Sequence, residues 1–225
     1  MLFENRTDAG RKLAQALTKY RGLHPVVLAL PRGGLPVAAE VAAVLHAPLD
    51  LVLVRKIGVP SQPELAMGAV VDGQTPTVVR NDDIIELCGI GEAEFDAVCK
   101  EQLAEIERRR KRYIGDRARA EVRGQVTIVI DDGIATGATT LAAIRAVRSR
   151  KPKELVLAVP VAAFDTVKKL RGEVDAIVCL DTPRDLGAIG YFYNDFRQVD
   201  DDEVVAILRR FPATKTTQAS DNSSP

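Results

Sequence analysis

Five short apolar runs recur along the chain, at Val26–Leu30, Leu51–Val54, Val126–Ile130, Leu155–Val159 and Ala176–Leu180. Each is rich in Val, Ile and Leu and lacks the polar alternation of a half-exposed strand. That is the pattern of strands covered on both faces of a parallel sheet. Between most of them the apolar spacing becomes helical. Leu35–His46, Ala138–Arg150 and Ala162–Arg171 read as helices following a strand, and Asp200–Arg210 as a closing helix. Thr7–Tyr20 precedes the first strand, with Thr7 or Asp8 as its cap and Ala9, Leu13, Ala16 and Leu17 as its apolar stripe. The alternation predicts an α/β fold: a doubly wound, mainly parallel five-stranded sheet flanked by helices.

Two stretches break this rhythm. Gly58–Glu64 is loop-like, with Pro60 and Pro63. Ala66–Val71 and Thr75–Val79 then read as a hairpin around Asp72-Gly73, so residues 64–79 are predicted to form a flap over the sheet. Residues 81–123 read as a helical and flexible insertion. Asn81 caps a short helix to Leu87, glycines 89 and 91 end it, and Glu92–Tyr113 is a long helix with Phe95, Val98, Leu103 and Ile106 on one face. Its basic last turns, Arg108–Arg112, suit the helix dipole and read as a solvated face. Gly115–Arg123 is polar and predicted mobile. Residues 1–212 thus form one domain, and the Thr/Ser-rich residues 213–225 are predicted to be disordered.

The chemistry concentrates where the third run ends. Val126–Ile130 delivers Asp131 and Asp132, then Gly133-Ile-Ala135-Thr136-Gly137-Ala138-Thr139-Thr140 enters a helix. The loop leaving a parallel strand is where open α/β sheets bind ligands. Gly133, Ala135, Gly137 and Ala138 let backbone N–H groups close around a phosphate, Thr136, Thr139 and Thr140 add hydroxyls, and the helix dipole points the same way. Asp131 and Asp132 can accept hydrogen bonds from vicinal sugar hydroxyls, so the stretch reads as a ribose 5-phosphate site. A Walker loop would need Lys after Gly137, and a dinucleotide loop a third glycine. Capping alone would need one acid and no small-residue loop. The first run similarly ends in Pro31-Arg32-Gly33-Gly34, a second strand–glycine–helix junction suited to an anion or to a plain tight turn. Arg55-Lys56 ends the second run, as two cations for a polyanion or as a solvated pair.

Composition adds limits. With 225 residues, 46% of them hydrophobic, the chain can bury one full core. Lys plus Arg and Asp plus Glu both number 31, so no net charge draws it to nucleic acid or membrane. Cys88, Cys99 and Cys179 lack metal-ligand spacing, and His24 and His46 read as structural. No membrane-length apolar run and no signal-peptide pattern is present, which predicts a cytoplasmic protein.

The string from Val126 to Thr140 resembles the ribose-phosphate signature of the type I phosphoribosyltransferases. Arg55–Gly58, Glu64–Ala69 and Gly190–Phe196 further resemble a bacterial group of predicted phosphoribosyltransferases, with Phe192 as a departure in the last motif. The resemblance implies that type I fold and transfer of a 5-phosphoribosyl group from 5-phosphoribosyl 1-diphosphate to a nitrogen acceptor such as a nucleobase. It implies Asp131 and Asp132 on the ribose hydroxyls, and Gly133 and Ala135–Thr139 on the 5-phosphate. Arg32, Gly33, Gly34, Arg55 and Lys56 would serve the diphosphate, with a basic residue of 108–123 as a further neutraliser, and Arg32 and Lys56 would join the acid pair in catalysis. A cis or strained non-proline peptide is expected at the Arg32–Gly33 step, and a mobile cover at 115–123. Mg²⁺ would ride on diphosphate and hydroxyl oxygens, with Asp131 and Asp132 reached through water rather than as direct ligands. A homodimer in nucleotide metabolism is implied as well. For the acceptor pocket we expect Tyr191 or Tyr193, from a cluster with Phe192 and Phe196 whose rings could stack a base or simply seal the sheet edge. The alternative is a sensor that binds a phosphoribosyl ligand or nucleotide without turnover.

Overall fold

The computed structural model describes residues 1–73 and 76–211. In chain order its strands are β1 (Val26–Ala29), β2 (Leu49–Leu51), β3 (Val54–Val59), β4 (Gln62–Val71), β5 (Thr77–Arg80), β6 (Val126–Ile130), β7 (Glu154–Val161) and β8 (Ala176–Asp181). Its α-helices are α1 (Arg6–Ala16), α2 (Gly34–Leu45), α3 (Asp82–Leu87), α4 (Glu92–Tyr113), α5 (Ala138–Ser149), α6 (Phe164–Leu170) and α7 (Asp201–Arg209). Five strands pair in the order β2-β1-β6-β7-β8, every neighbour parallel. β1 and β6 are buried along their whole length, as their unbroken apolar runs require.

The winding direction places the site. From β1 the chain moves outward through α2 to β2; from β6 it moves the other way through α5 to β7 and α6 to β8. Leu35, Val37 and Val41 of α2 pack in the core on one face, with α1, α4 and α7, and Ala143, Ile144 and Val147 of α5 pack on the other. The strand order therefore reverses between β1 and β6, where the loops of a doubly wound sheet part and leave a crevice. Ala29 stands opposite Ile130 in register, so both loops leave the sheet at the same height.

Several boundaries differ from expectation, each for a local reason. The cap of α1 is Asn5, whose side chain accepts from the Asp8 amide at 3.0 Å, rather than Thr7 or Asp8. The expected strand at Leu51–Val54 is two strands: β2 ends at Leu51, and β3 joins the hairpin to form a three-stranded antiparallel sheet, β3-β4-β5. Alternation explains the division, because Ile57 and Val59 are buried while Lys56 and Gly58 are not. Thr75, where the second hairpin strand was expected to begin, lies outside the described residues, as does the tail from residue 212.

The segment expected to be mobile, 115–123, is tied to the edge of the parallel sheet. The Ala120 amide donates to the buried Asp50 carboxylate at 2.8 Å, Arg117 donates to the Leu49 carbonyl at 2.6 Å, and Val122 is fully buried. These contacts cover β2, which would otherwise expose an unpaired edge. α7 begins with a capping box in which Asp200 and Glu203 satisfy each other's amides, which fixes its first turn locally.

Candidate active site

Asp131 and Asp132 follow the last residue of β6 directly, and the two differ sharply in surroundings. Arg6, at the start of α1, places its Nε 2.7 Å from Asp132 Oδ2, with both side chains about nine-tenths covered. The same guanidinium donates to the Arg197 carbonyl at 2.8 Å and lies over the Phe196 ring, 3.9 Å from its centre. Asp131 meets no cation at ion-pair distance among the described residues; it accepts the Asp132 amide at 2.9 Å. Burial, and then the neighbouring Asp132 carboxylate, hold the Asp131 carboxyl well above the usual carboxylate range.

The two loops of the crevice touch through their glycines. A Cβ on Gly33 would stand 2.0 Å from Asp132 Oδ2, and one on Gly34 would stand 2.8 Å from the Ile130 carbonyl oxygen. Gly33 and Gly34 are therefore required first by the approach of loop 31–34 to the acid pair. The cis peptide of that loop is Pro31–Arg32, one step before the expected Arg32–Gly33.

Gly137 takes a left-handed φ of 79° at the N-cap of α5, a conformation that disfavours other residues, and a Cβ there would also meet Thr166. Thr166 donates to the Ala135 carbonyl at 2.6 Å and holds the loop from below. Ala135, Thr136, Ala138 and Thr139 are exposed, and their amides make no backbone hydrogen bond elsewhere among the described residues, leaving them to a ligand. Thr140, expected to offer a third hydroxyl, is buried against the core instead.

The cations divide. Arg32 Nη1 stands 3.3 Å from Asp201 at the first turn of α7, and Arg112 reaches the same carboxylate at 2.8 Å. Tyr113 also donates to Asp201; that bond, and then the arginines, hold its carboxyl below the usual range, while burial pushes the Tyr113 hydroxyl up to about 12. Arg55 and Lys56 are neighbours in β3, so their side chains leave opposite faces of the small sheet. Arg55 donates to Gln102 of α4 at 3.0 Å, on the side of the Arg108–Arg109 cluster. Lys56 pairs with Glu64 at 3.0 Å and faces a cavity of about 420 Å³ between this sheet and α5, with Thr139 at its edge. The two cations, expected to serve one diphosphate, are not brought together here.

The aromatic cluster is also divided. Tyr193 is buried between Phe3 and Phe196, with ring centres 5.3 and 4.9 Å away, and donates to the Asp132 carbonyl at 2.6 Å. It supports the acid pair from behind and is buried, whereas the acceptor-pocket expectation would have its ring face a cavity. Tyr191 is 77% exposed, its ring beside Gly187. Arg6 carries no site signal in the sequence, because its partner lies 126 positions away and no local pattern announces it.

Taken together, the fold and this crevice define a doubly wound α/β protein with a crevice at its topological switch point. The chain belongs to the phosphoribosyl transferase domain family, which matches residues 2–191. It is 48% identical over 209 residues to a protein of Mycobacterium tuberculosis H37Rv, and equally to its counterpart in strain CDC 1551, both named only provisionally as phosphoribosyl transferases. Those alignments cover 93% of this chain and 47% of either relative, so the chain spans slightly under half their length. Among solved structures it is similar to TT1426 from Thermus thermophilus, at 39% identity and a TM-score of 0.81, covering 94% of this chain and 100% of that one. No helix among the described residues is long and apolar enough to cross a membrane.

Proposed function

We propose that the chain transfers a 5-phosphoribosyl group from 5-phosphoribosyl 1-diphosphate to a nitrogen acceptor and releases diphosphate. The observation that carries this is the level register of β1 and β6, which sets a glycine–arginine loop against an acid pair that continues into an open phosphate cradle. The 5-phosphate takes the amides and hydroxyls of Ala135–Thr139, at the N-terminus of α5. Asp131 and Asp132 accept from the ribose 2- and 3-hydroxyls. Arg32 meets the diphosphate from loop 31–34, with Arg55 and the α4 arginines on the same side of the small sheet.

In the reaction the anomeric C–O bond breaks, its electron pair leaves on diphosphate, and the acceptor nitrogen bonds the anomeric carbon. Charge grows positive on the sugar and negative on the leaving group, so positioning and neutralisation carry the rate. Asp131, which has no cationic partner among the described residues, would hold Mg²⁺ through water; the ion would draw its carboxyl back to the charged form and neutralise the leaving diphosphate. Tyr191 is the aromatic of its cluster left open to an acceptor, in nucleotide metabolism a planar base. Assembly as a homodimer in the cytoplasm accords with this reading.

A second reading is binding without turnover. It is favoured by the internal partners of Asp132 and Arg32, since both recognition groups are satisfied before any ligand arrives. One assay separates the two: diphosphate release from the donor with Mg²⁺, against a panel of nucleobases and amines. Release stimulated by an acceptor establishes transfer. Donor binding with no release under any acceptor establishes the sensor.

A further inference from the structure

Beside loop 31–34, one carboxylate gathers cationic and hydroxyl donors from two separate parts of the chain. Arg32 Nη1 stands 3.3 Å from Asp201 Oδ1, and the Tyr113 hydroxyl donates to that same oxygen. Arg112 Nη1 stands 2.8 Å from Asp201 Oδ2, with Arg108 Nη1 at 3.9 Å. The Asp201 side chain is 16% exposed, against 91% for its neighbour Asp202.

The helix does not require this arrangement. The N-cap of α7 is Asp200, whose carboxylate takes the Glu203 amide at 2.8 Å, so Asp201 is not needed to cap it. An acid in a first turn gains from the helix dipole without any outside partner. The seat also adjoins the acid pair. Glu203 holds Arg197 at 2.7 Å, the Arg197 carbonyl takes Arg6, and Arg6 holds Asp132. Gly33, next to Arg32, packs against Asp132 from the other side.

The contacts to Asp201 are unequal. Charge-assisted N–H···O bonds run at about 2.7–2.9 Å, which Arg112 meets and Arg32 does not. Arg32 is therefore the arm most readily given up. A diphosphate offers more charged oxygens than a carboxylate and more negative charge, and a planar guanidinium binds such oxygens in pairs.

We propose that Asp201 holds this seat as an internal anion, and that the donor's diphosphate binds by displacing it from Arg32. Arg112 and Tyr113 then donate to the ligand. This rests on the reading of Arg32 as a diphosphate residue, and adds to it a competitor carried by the chain itself.

Calorimetric titration of the full chain with inorganic diphosphate tests it, with ribose 5-phosphate as the control ligand. Asp201→Asn keeps the shape of the side chain and an acceptor for Tyr113 but removes the competing charge. It should bind diphosphate at least fivefold more tightly than the parent, and ribose 5-phosphate no differently. Tyr113→Phe should bind diphosphate at least threefold more weakly than the parent, and decides the matter if Asp201→Asn does not fold. The proposal is overturned if neither the parent nor Asp201→Asn binds diphosphate, or if Asp201→Asn binds it no more tightly than the parent. A weaker affinity there would make Asp201 a residue that orients Arg32. Equal gains for both ligands overturn it as a general effect of lost charge, and so does an unchanged affinity in Tyr113→Phe. If ribose 5-phosphate binds to no form, the phosphoribosyl reading fails, and the diphosphate comparison still judges the seat.

Discussion

Replacing Arg6 with Met removes the one cation among the described residues that meets the acid pair, while keeping an apolar stem against Phe196. Taking one partner from a buried ion pair costs about 3–5 kcal/mol, because the other charge stays behind unpaired. The residual exposure of 11% for Arg6 and 12% for Asp132 allows some hydration, so the low end applies, about 3 kcal/mol. Loss of the guanidinium over Phe196 adds about 1 kcal/mol. At about 2–4 °C per kcal/mol for a chain of this size, the melting temperature should fall by on the order of 10 °C. The assay is urea unfolding at pH 7.5 of the parent, Arg6→Met, Asp132→Asn and the double variant. In the Asp132→Asn background the Arg6 change should cost about 1 kcal/mol, giving a coupling of at least about 2 kcal/mol. A loss below about 1 kcal/mol in the parent background, or equal losses in both, would refute the argument that Arg6 holds the acid pair.

Further expectations concern Asp131, Arg32 and the two tyrosines. Burial raises the folded pKa of Asp131 above its ordinary value of 3.8, so its contribution is favourable below that value and is lost as pH rises through the folded pKa. Asp131→Asn should therefore gain in melting temperature over the parent as pH goes from 4 to 8, and a gap that stays constant would contradict the burial argument. Arg32→Ala should weaken binding of the diphosphate-bearing donor at least tenfold more than that of a 5-phosphate nucleotide, measured by calorimetry; equal losses would place Arg32 outside the diphosphate site. Tyr193→Ala should lower the melting temperature sharply, whereas Tyr191→Ala should leave it unchanged and raise the acceptor KM. Equal thermal losses would show both rings to be core.

What could be read in advance was what local pattern determines. The run Val126–Ile130, its two acids and its small-residue loop lie within fifteen positions, and strand burial, glycine conformation and helix start are all decided there. The five-stranded parallel sheet followed from the same logic. The errors share another origin. Leu51–Val54 reads as one strand because it is apolar throughout, and only pairing reveals that β2 stops at Leu51 and β3 begins at Val54, which turns Arg55 and Lys56 to opposite faces. Tyr191 and Tyr193 are two positions apart, and nothing in their spacing tells which one faces Phe3. Arg6 with Asp132 and Arg32 with Asp201 close across the whole chain, so each partner is meaningful only once the fold has brought it there. The polar segment 115–123 looked mobile because its anchors, Leu49, Asp50 and Asp72, lie outside it.

The central claim is that the two crevice loops and the acid pair between them bind one phosphoribosyl donor. Calorimetric titration with 5-phosphoribosyl 1-diphosphate and Mg²⁺, of the parent and of an Asp131→Asn, Asp132→Asn double variant of verified fold, tests it most directly. One donor per chain should bind to the parent, with at least tenfold weaker binding to the variant. Equal affinity in the two proteins would contradict the claim and move the donor away from this crevice.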